Sequence, residues 1–268
     1  MMATGNILEQ IFTEKRQEVA NRKHKIDLQT MRRQAEEQQR PLDFYKALKQ
    51  AKPALIAEIK RASPSKGDFA VHLSASELAQ CYLRGGAAAI SVLTDEHYFR
   101  GSFADLRSIA ELPQRVPILQ KDFLCDCYQV YEARANGADA ILLIASFLEV
   151  GLLQELHDCA TQLGMSVLVE VHTADELEKA LRLRGLKILG VNNRNLRDFR
   201  VDLQTCLELR PRVPPDILFV AESGIKSADD VRRLMEQEIT AFLVGETLVR
   251  SKEPTQKIKE LLLKDGED

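Results

Sequence analysis

The sequence lacks the features that mark secreted, membrane and nucleic-acid-binding proteins. It has five cysteines, an odd number without a CxxC pair, which excludes a disulfide framework and favours a reducing compartment. A formal net charge of −3 gives no general attraction for polyanions, so we expect no nucleic-acid partner. The longest apolar run, 140–145, is far shorter than the ~20 residues of a membrane span.

No basic stretch followed by an apolar segment occurs near the first residues, as a secretory leader would require. We therefore expect a cytoplasmic protein, or a plastid protein whose leader has been removed. Metal-site patterns are missing too, because Cys125 and Cys127 are not accompanied by a second Cys/His pair at zinc spacing. The thiols are interpreted as buried or neutral. The histidines share no spacing with carboxylates or cysteines and are interpreted as surface or packing residues: His24, His72, His97, His157 and His172.

The sequence does contain a series of short apolar runs, each followed by a helix-compatible stretch. Parallel strands that are covered on both faces have this nearly continuous apolar character. Eight such units in 268 residues predict an α/β fold, a (β/α)8 TIM barrel. A doubly wound open sheet is the alternative, but no GxGxxG loop supports it. The predicted strands are Ala54–Lys60, Ala88–Leu93, Pro117–Lys121, Ala140–Ile144, Ser166–Glu170, Lys187–Asn192, Ile217–Glu222 and Ala241–Gly245.

Helix signals lie between these runs. Ser74 and Thr173 are each followed three residues later by a glutamate, Glu77 or Glu176, and this spacing predicts reciprocal capping at two helix starts. Gly137 stands where a helix should end before the next strand.

Residues 1–50 form an additional segment before the first predicted strand. Apolar residues at helical spacing are followed there by a run rich in Lys, Arg, Glu and Gln. We predict a helical extension over 1–50 that packs on a barrel catalytic domain over 51–268. In one interpretation the extension covers an end of the barrel, and in the other it is a lid that touches substrate.

The active site of a β/α barrel lies at the carboxyl ends of the strands. Lysines and glutamates that converge on one rim would be costly to bury without partners, so their clustering there favours a functional role. The candidate residues at these ends are Glu58, Lys60, Lys121, Glu170, Asn192, Arg194, Glu222 and Ser223.

The loops after the seventh and eighth predicted strands have the composition of a phosphate site. Barrels often bind phosphate there through backbone N–H groups and a helix amino terminus. Gly224 and Gly245 carry no side chain, so a phosphate can approach the backbone closely. We therefore predict a phosphorylated small-molecule ligand.

These strand-end residues belong to longer motifs that resemble those of indole-3-glycerol-phosphate synthase. The most specific motif is Glu58-Ile-Lys-Arg-Ala-Ser-Pro-Ser-Lys-Gly67. The segment from Ile7 to Lys23 is also similar to the leading segment of that family. The other motifs follow in order and span the barrel: Ser91–Ser102, Lys121–Phe123, Leu168–His172, Gly190–Leu196, Ala221–Gly224 and Val244–Glu246.

The resemblance implies the ring-closing step of tryptophan biosynthesis. In this step 1-(2-carboxyphenylamino)-1-deoxyribulose 5-phosphate loses carbon dioxide and water, and neither a metal nor an organic cofactor is implied. Lys121 is implied as the general acid and Glu170 as a general base. The residues implied around the reacting centre are Glu58, Lys60, Asn192, Glu222 and Ser223. The residues implied in substrate binding are Arg194 for the polar groups, Phe99 and Phe123 for the anthranilate ring, and Ser63, Gly224, Gly245 and the amide of Glu246 for the phosphate.

The chemistry needs these residue types, because the ketone oxygen must gain a proton as the ring carbon attacks, and a lysine is charged at neutral pH. Dehydration needs a further acid and a base, so the division of labour between Lys60 and Lys121 stays open. Two positions depart from the commonest family pattern: Gln120 stands where arginine is frequent, and Glu246 stands where some members have serine.

Two alternative functions are open to a phosphate-binding barrel. A phosphoribosylanthranilate isomerase-like barrel would require a cysteine base at the end of the first strand, where this chain has Glu58 and Lys60. A non-catalytic phosphosugar-binding barrel would not require charged residues around the whole rim. We expect the protein to be a monomer or a weak homo-oligomer.

Overall fold

The computed structural model describes residues 7–63, 67–69, 73–195 and 199–264. Residues 1–6 and 265–268 of the two predicted domains, positions 64–66 of the first motif, His72 and Leu196 lie outside the described residues. The strands are β1 (Ala54–Ile59), β2 (Ala62–Ser63), β3 (Gly67–Asp68), β4 (Ala89–Leu93), β5 (Ile118–Lys121), β6 (Ala140–Ile144), β7 (Ser166–Val171), β8 (Ile188–Asn192), β9 (Leu218–Glu222) and β10 (Ala241–Val244).

Eight of these strands are parallel and close into a barrel in the order β1-β4-β5-β6-β7-β8-β9-β10, with β10 paired to β1. Every predicted strand is present, with its ends within one residue of the predicted ones. The two-residue strands β2 and β3 form an antiparallel hairpin directly after β1, which the sequence pattern did not predict. The predicted (β/α)8 barrel is therefore confirmed, and the open-sheet alternative is wrong.

Helices surround the barrel, and several of them begin at a residue whose side chain caps the helix. Ser74 and Glu77 cap each other reciprocally, and Gly86 ends the helix with a left-handed φ of 93°. At Thr173 the prediction is half wrong: its hydroxyl accepts from the amide of Glu176, but the Glu176 carboxylate accepts from the amide of His172 instead (2.7 Å). The helices are α1 (Ile7–Lys25), α2 (Leu28–Glu36), α3 (Phe44–Gln50), α4 (Ala75–Gly85), α5 (Glu96–Phe99), α6 (Phe103–Ala110), α7 (Cys127–Ala135), α8 (Val150–Gln162), α9 (Ala174–Ala180), α10 (Gln204–Leu209), α11 (Ala228–Met235), α12 (Glu246–Val249) and α13 (Pro254–Leu261), with a 3₁₀ turn at Arg210–Arg212.

The amino-terminal extension contacts both ends of the barrel. Helix α1 lies at the carboxyl end, where Phe12 stacks on Phe147 with ring centroids 4.6 Å apart. Lys15 of the same helix is only 2% exposed, and its Nζ lies 2.8 Å from Asp95 and 3.0 Å from Asp122, which follow β4 and β5. Such a buried ammonium requires these carboxylates, so they pin α1 over this end of the barrel.

The rest of the extension runs down the outside of the barrel to its amino end. Helix α2 packs on α7, and the amide of Leu42 donates to Asp139, the residue before β6 (2.9 Å). Helix α3 packs on β1 and β4 and buries Phe44 and Leu48. The extension thus covers both ends, while its division from the barrel at residue 50 stays a prediction. In the part of the chain that the structure describes, no helix has the length and apolar character needed to cross a membrane.

Candidate active site

The carboxyl ends of the barrel strands surround a cavity of about 720 Å³. The structure brings every predicted site residue to the wall of this cavity, while their individual roles stay predictions. These residues are Glu58, Lys60, Ser63, Phe99, Lys121, Phe123, Glu170, Asn192, Arg194, Glu222, Ser223, Gly224, Gly245 and Glu246.

At the centre of the cavity, Lys121 connects three strands. Its Nζ lies 3.1 Å from Oε2 of Glu170 on β7 and 3.0 Å from Oε2 of Glu222 on β9. The side chains of Lys121, Glu170 and Glu222 are 17%, 4% and 1% exposed. We call these three residues the central cluster. Charges buried this deeply are tolerated only because they pair with one another.

The central cluster separates the protonation states of its two carboxyl groups. Burial tends to raise the pKa of Glu170, but the charges of Lys121 and His172 outweigh it and lower that pKa to about 2. Burial also raises the pKa of Glu222, where the negative charge of Glu170 adds to the effect, to about 8. Although burial opposes its charge, the surrounding carboxylates hold the pKa of Lys121 above its usual value. At neutral pH the cluster therefore holds an ionised carboxylate beside a carboxyl group that retains a proton.

The second charged pair of the cavity lies on and just after β1. Nζ of Lys60 is 2.8 Å from Oε1 of Glu58, and it also lies 5.9 Å from the ring centre of Phe69 beyond the β2–β3 hairpin. Burial tends to raise the pKa of Glu58, but Lys60 and Lys121 lower it on balance. Glu58 is therefore held as a carboxylate inside the barrel.

Two glycines, Gly190 on β8 and Gly245 directly after β10, make room for the glutamates. A Cβ atom at Gly190 would lie 2.1 Å from Oε1 of Glu222, and one at Gly245 would lie 2.3 Å from Oε1 of Glu58. Gly245, predicted to permit the approach of phosphate, is thus also required by a carboxylate. Sequence reasoning assigned no role to Gly190, although a glycine inside a buried strand signals the close approach of another group.

The loop after β9 has an unusual backbone. Ser223 (φ 64°) and Gly224 (φ 87°) are both left-handed, and a Cβ atom at Gly224 would lie 2.7 Å from Val201. Asn193, which is buried and was not predicted, donates from Nδ2 to the carbonyls of Glu222 (3.0 Å) and Ser223 (3.1 Å). These hydrogen bonds hold a conformation that is otherwise costly for a serine.

At the outer side of the cavity, the carboxylate of Glu246 lies between two arginines. It is 3.4 Å from Arg194 and 3.1 Å from Arg250, four residues further along the chain. We call these three residues the outer triad. Arg250, Lys226 and Lys257 line the cavity but were not predicted. The i,i+4 spacing of Glu246 and Arg250 was the available signal for the first of them.

The remaining wall is apolar. The rings of Phe99 and Phe123 have centroids 6.0 Å apart, and Ile11 of α1 and Leu142 of β6 complete this side. Behind this wall lies Gln120, the position where the family frequently has arginine. Its side-chain amide donates to the hydroxyl of Thr94 (2.8 Å). Thr94 in turn donates to Asp122, the partner of Lys15, so Gln120 belongs to the buried network that anchors α1.

His172 was interpreted as a surface or packing residue that shares no spacing with carboxylates, but its buried side chain has two carboxylate neighbours. Its side chain is 8% exposed, with Nε2 3.3 Å from Oε1 of Glu170 and Nδ1 3.2 Å from Oε2 of Glu176. The alternation of β7 was the missed signal, because His172 directly follows this strand, two residues after Glu170, and continued alternation turns both side chains to one side. His24 and His97 are exposed, and His157 is buried, as interpreted.

All five cysteines are free, with Cys159 and Cys206 buried. Burial raises the pKa of Cys125 to about 11. Among the described residues, no group of three or more His, Cys, Asp or Glu side chains is arranged to hold a metal ion.

Comparison with known proteins places the chain in a family. The family model for indole-3-glycerol phosphate synthase matches residues 8–261. The indole-3-glycerol phosphate synthase of Polynucleobacter asymbioticus is 46% identical over 266 residues, which cover 96% of this chain and 99% of the relative. That of Polaromonas naphthalenivorans is 45% identical over 261 residues, which cover 96% and 98%.

Solved structures share the fold. The 3-hexulose-6-phosphate synthase of Salmonella typhimurium superposes with a TM-score of 0.62 at 16% identity, covering 78% of this chain and 98% of that one. The thiamine phosphate pyrophosphorylase of Pyrococcus furiosus gives a TM-score of 0.60 at 18% identity, covering 82% and 96%. At such identities the likeness concerns the barrel alone.

Proposed function

The chain belongs to the indole-3-glycerol phosphate synthase family, and from this premise we propose how its cavity closes an indole ring. Its activity is that of the family, a carboxy-lyase reaction of tryptophan biosynthesis on a phosphorylated small molecule. The proposed substrate is 1-(2-carboxyphenylamino)-1-deoxyribulose 5-phosphate. It loses one CO2 and one H2O, and one carbon–carbon bond closes the new ring.

The central cluster carries the mechanism. Lys121 gives a proton to the ketone oxygen as the carboxylate-bearing ring carbon attacks, because its ammonium is charged and buried where the negative charge develops. Loss of CO2 then restores the aromatic ring. Glu222, whose carboxyl group retains a proton 3.0 Å from Nζ, can return a proton to Lys121.

Dehydration needs a proton on the departing hydroxyl and a base for the proton that the substrate loses. We assign the base to Glu170, which is ionised, and the second acid to Lys60, which Glu58 orients at 2.8 Å. The two lysines have different carboxylate partners, since Lys121 pairs with Glu170 and Glu222 whereas Lys60 pairs with Glu58. This supports separate roles for them.

The substrate's orientation follows from the two ends of the cavity. The anthranilate ring packs on Phe99 and Phe123, while the phosphate binds near Ser63, the Gly224 loop and the amide of Glu246. Asn192 and Ser223 face the reacting centre, and Arg194 binds the polar chain between. This orientation matches apolar surface with the ring and positive charge with the phosphate.

The decisive experiment is turnover of this substrate by the purified protein in the presence of a metal chelator. We expect an indole product, detected by its ultraviolet absorbance and by mass spectrometry, together with one CO2 per indole. Well-folded protein that releases no indole would refute the proposal. A barrel with only the isomerase activity would leave the carboxyl group of this compound in place and would release no CO2.

We further infer a cytoplasmic monomer or weak homo-oligomer without a nucleic-acid partner. All the predicted site residues meet in one cavity of a single chain, which supports a monomer as the active unit. The relatives named above are bacterial, and the plastid alternative gains no support from them. Light scattering after size-exclusion chromatography tests the monomer, for which a mass of 30.2 kDa is expected.

A further inference from the structure

One buried histidine beside the central cluster, His172, has no part in the mechanism above. His172 lies between two carboxylates: Nδ1 is 3.2 Å from Oε2 of Glu176 and Nε2 is 3.3 Å from Oε1 of Glu170. Glu176 is fixed in turn, because its Oε2 also accepts from the amide of His172 at 2.7 Å. The chain of contacts leads from the surface of α9 to the central cluster.

This chain of contacts makes the two carboxyl groups of the central cluster unequal. Glu170 touches Lys121 through one oxygen and His172 through the other. Glu222 touches Lys121 through Oε2, while its Oε1 is buried without a hydrogen-bond partner among the described residues. With its ring protonated, His172 is a second cation for Glu170, whereas Glu222 contacts Lys121 alone, and a buried carboxyl group with fewer cations holds its proton more tightly.

We propose that His172 is a positioning residue that assigns the base role to Glu170: its imidazolium, oriented by Glu176, pairs with Oε1 of Glu170 and leaves the proton of the carboxyl pair on Glu222. The proposal rests on the assignment of Glu170 as base above. No atom of His172 needs to touch substrate.

The surroundings of His172 favour the imidazolium. Burial tends to lower the pKa of His172, but the hydrogen bond to Glu176 and the charge of Glu170 outweigh it and raise that pKa. The charged and titratable groups that face it are Glu176 from α9, Glu170 from β7, which His172 directly follows, Glu222 from β9 and, through Glu170, Lys121 from β5.

The first experiment is the pH profile of kcat/KM for the wild-type enzyme and for His172→Gln, which retains a hydrogen-bond donor but loses the charge. Removal of a buried cation beside Glu170 makes the cluster bind protons more tightly, so we expect the whole profile to move to higher pH by on the order of one unit. His157→Gln is the matched control, since His157 is also buried but lies on α8 outside the cavity. It should leave the profile where it is.

The second experiment tests whether Glu176 acts through His172. Glu176→Gln alone should move the profile in the same direction by a smaller amount, and the double variant should match His172→Gln, because Glu176 has nothing left to orient. Additive shifts would overturn the positioning role of Glu176. A lower rate with an unmoved profile in His172→Gln would overturn the proposal and leave a structural role.

A nitrogen-15 NMR spectrum of the wild-type chain gives a measurement that needs no variant to fold. We expect both ring nitrogens of His172 to be protonated at pH 7, and a neutral ring would overturn the proposal. Failure of the proposed function is distinguishable, because a wild-type enzyme that releases no indole has no profile at all, whereas the NMR result stands independently of turnover.

Discussion

The centre and the outer side of the cavity arrange their charges in opposite ways. In the central cluster, charges from β5, β7 and β9 pair across the barrel and are almost fully buried. In the outer triad, Glu246 pairs with Arg194 and Arg250, and the side chain of Arg250 is 56% exposed. Buried pairs that lose a member leave an uncompensated charge, whereas exposed pairs are screened by water and salt. Removal of one charged side chain should therefore have a much larger effect in the central cluster than in the outer triad.

The largest effect should come from Lys121→Met. We expect kcat to fall by on the order of 10³-fold, because no other ammonium reaches the ketone oxygen from β5. Substrate binding, measured by calorimetry, should remain detectable. The control is Lys226→Met, which removes an exposed cation from the same cavity and should change kcat little. Loss of binding with unchanged kcat would show that Lys121 only anchors the substrate and would contradict its role as general acid.

A smaller effect is expected from Gly190→Ala. The new Cβ would collide with Oε1 of Glu222 at 2.1 Å, which must move Glu222 away from Lys121. We expect kcat to fall by about 10²-fold and the free energy of unfolding to fall by about 1–3 kcal/mol. Gly151→Ala on α8, where no heavy atom lies within 4 Å of the added carbon, is the matched control and should leave both unchanged or slightly raise stability. Wild-type turnover in the Gly190→Ala variant would contradict the close packing of the cluster.

The pH dependence of the free energy of unfolding should also differ between the central cluster and exposed carboxylates. The folded-state pKa of Glu222 is raised to about 8 from 4.5, so between these pH values the folded protein holds a proton that the unfolded chain has lost. The free energy of unfolding therefore falls as pH rises through this window. Glu222→Gln cannot ionise and should remove this part of the decline, on the order of 2 kcal/mol between pH 5 and pH 8 in urea titrations. Glu178→Gln, on the exposed side of α9, should decline like the wild type.

The smallest effect is expected in the outer triad, from Glu246→Ser. Loss of the carboxylate frees Arg250 for the phosphate and Arg194 for the polar chain of the substrate, so KM should fall about threefold at low ionic strength and kcat should not change. The difference should shrink at high salt, because exposed charges are screened. Steady-state kinetics at two salt concentrations measure this, and an increase in KM would show that Glu246 is needed to orient Arg194.

Much of this site could be predicted from the chain, and the exceptions share a cause. Lys121, Glu170 and Glu222 were found because each ends an apolar run, and strand ends in a barrel meet at one rim. His172 was missed because it follows the predicted end of β7 and its partner Glu176 was assigned to a helix cap. Gly190 and Asn193 were missed because their roles concern atoms of other strands. Lys15 was missed because its carboxylate partners lie 80 and 107 residues further along the chain.

The amino-acid sequence was enough to predict the barrel, the ends of its strands and the three residues of the central cluster. Apolar runs and the polar residues that end them are local patterns, so they can be recognised in the sequence alone. The pairing of the charges depends on the folded chain. Lys121 pairs with two carboxylates, and His172 contacts only one of these two. Helix α1 is held at the carboxyl end of the barrel by the ion pairs of Lys15. Such choices depend on distances between strands far apart in sequence, and on the burial that makes each of those distances matter.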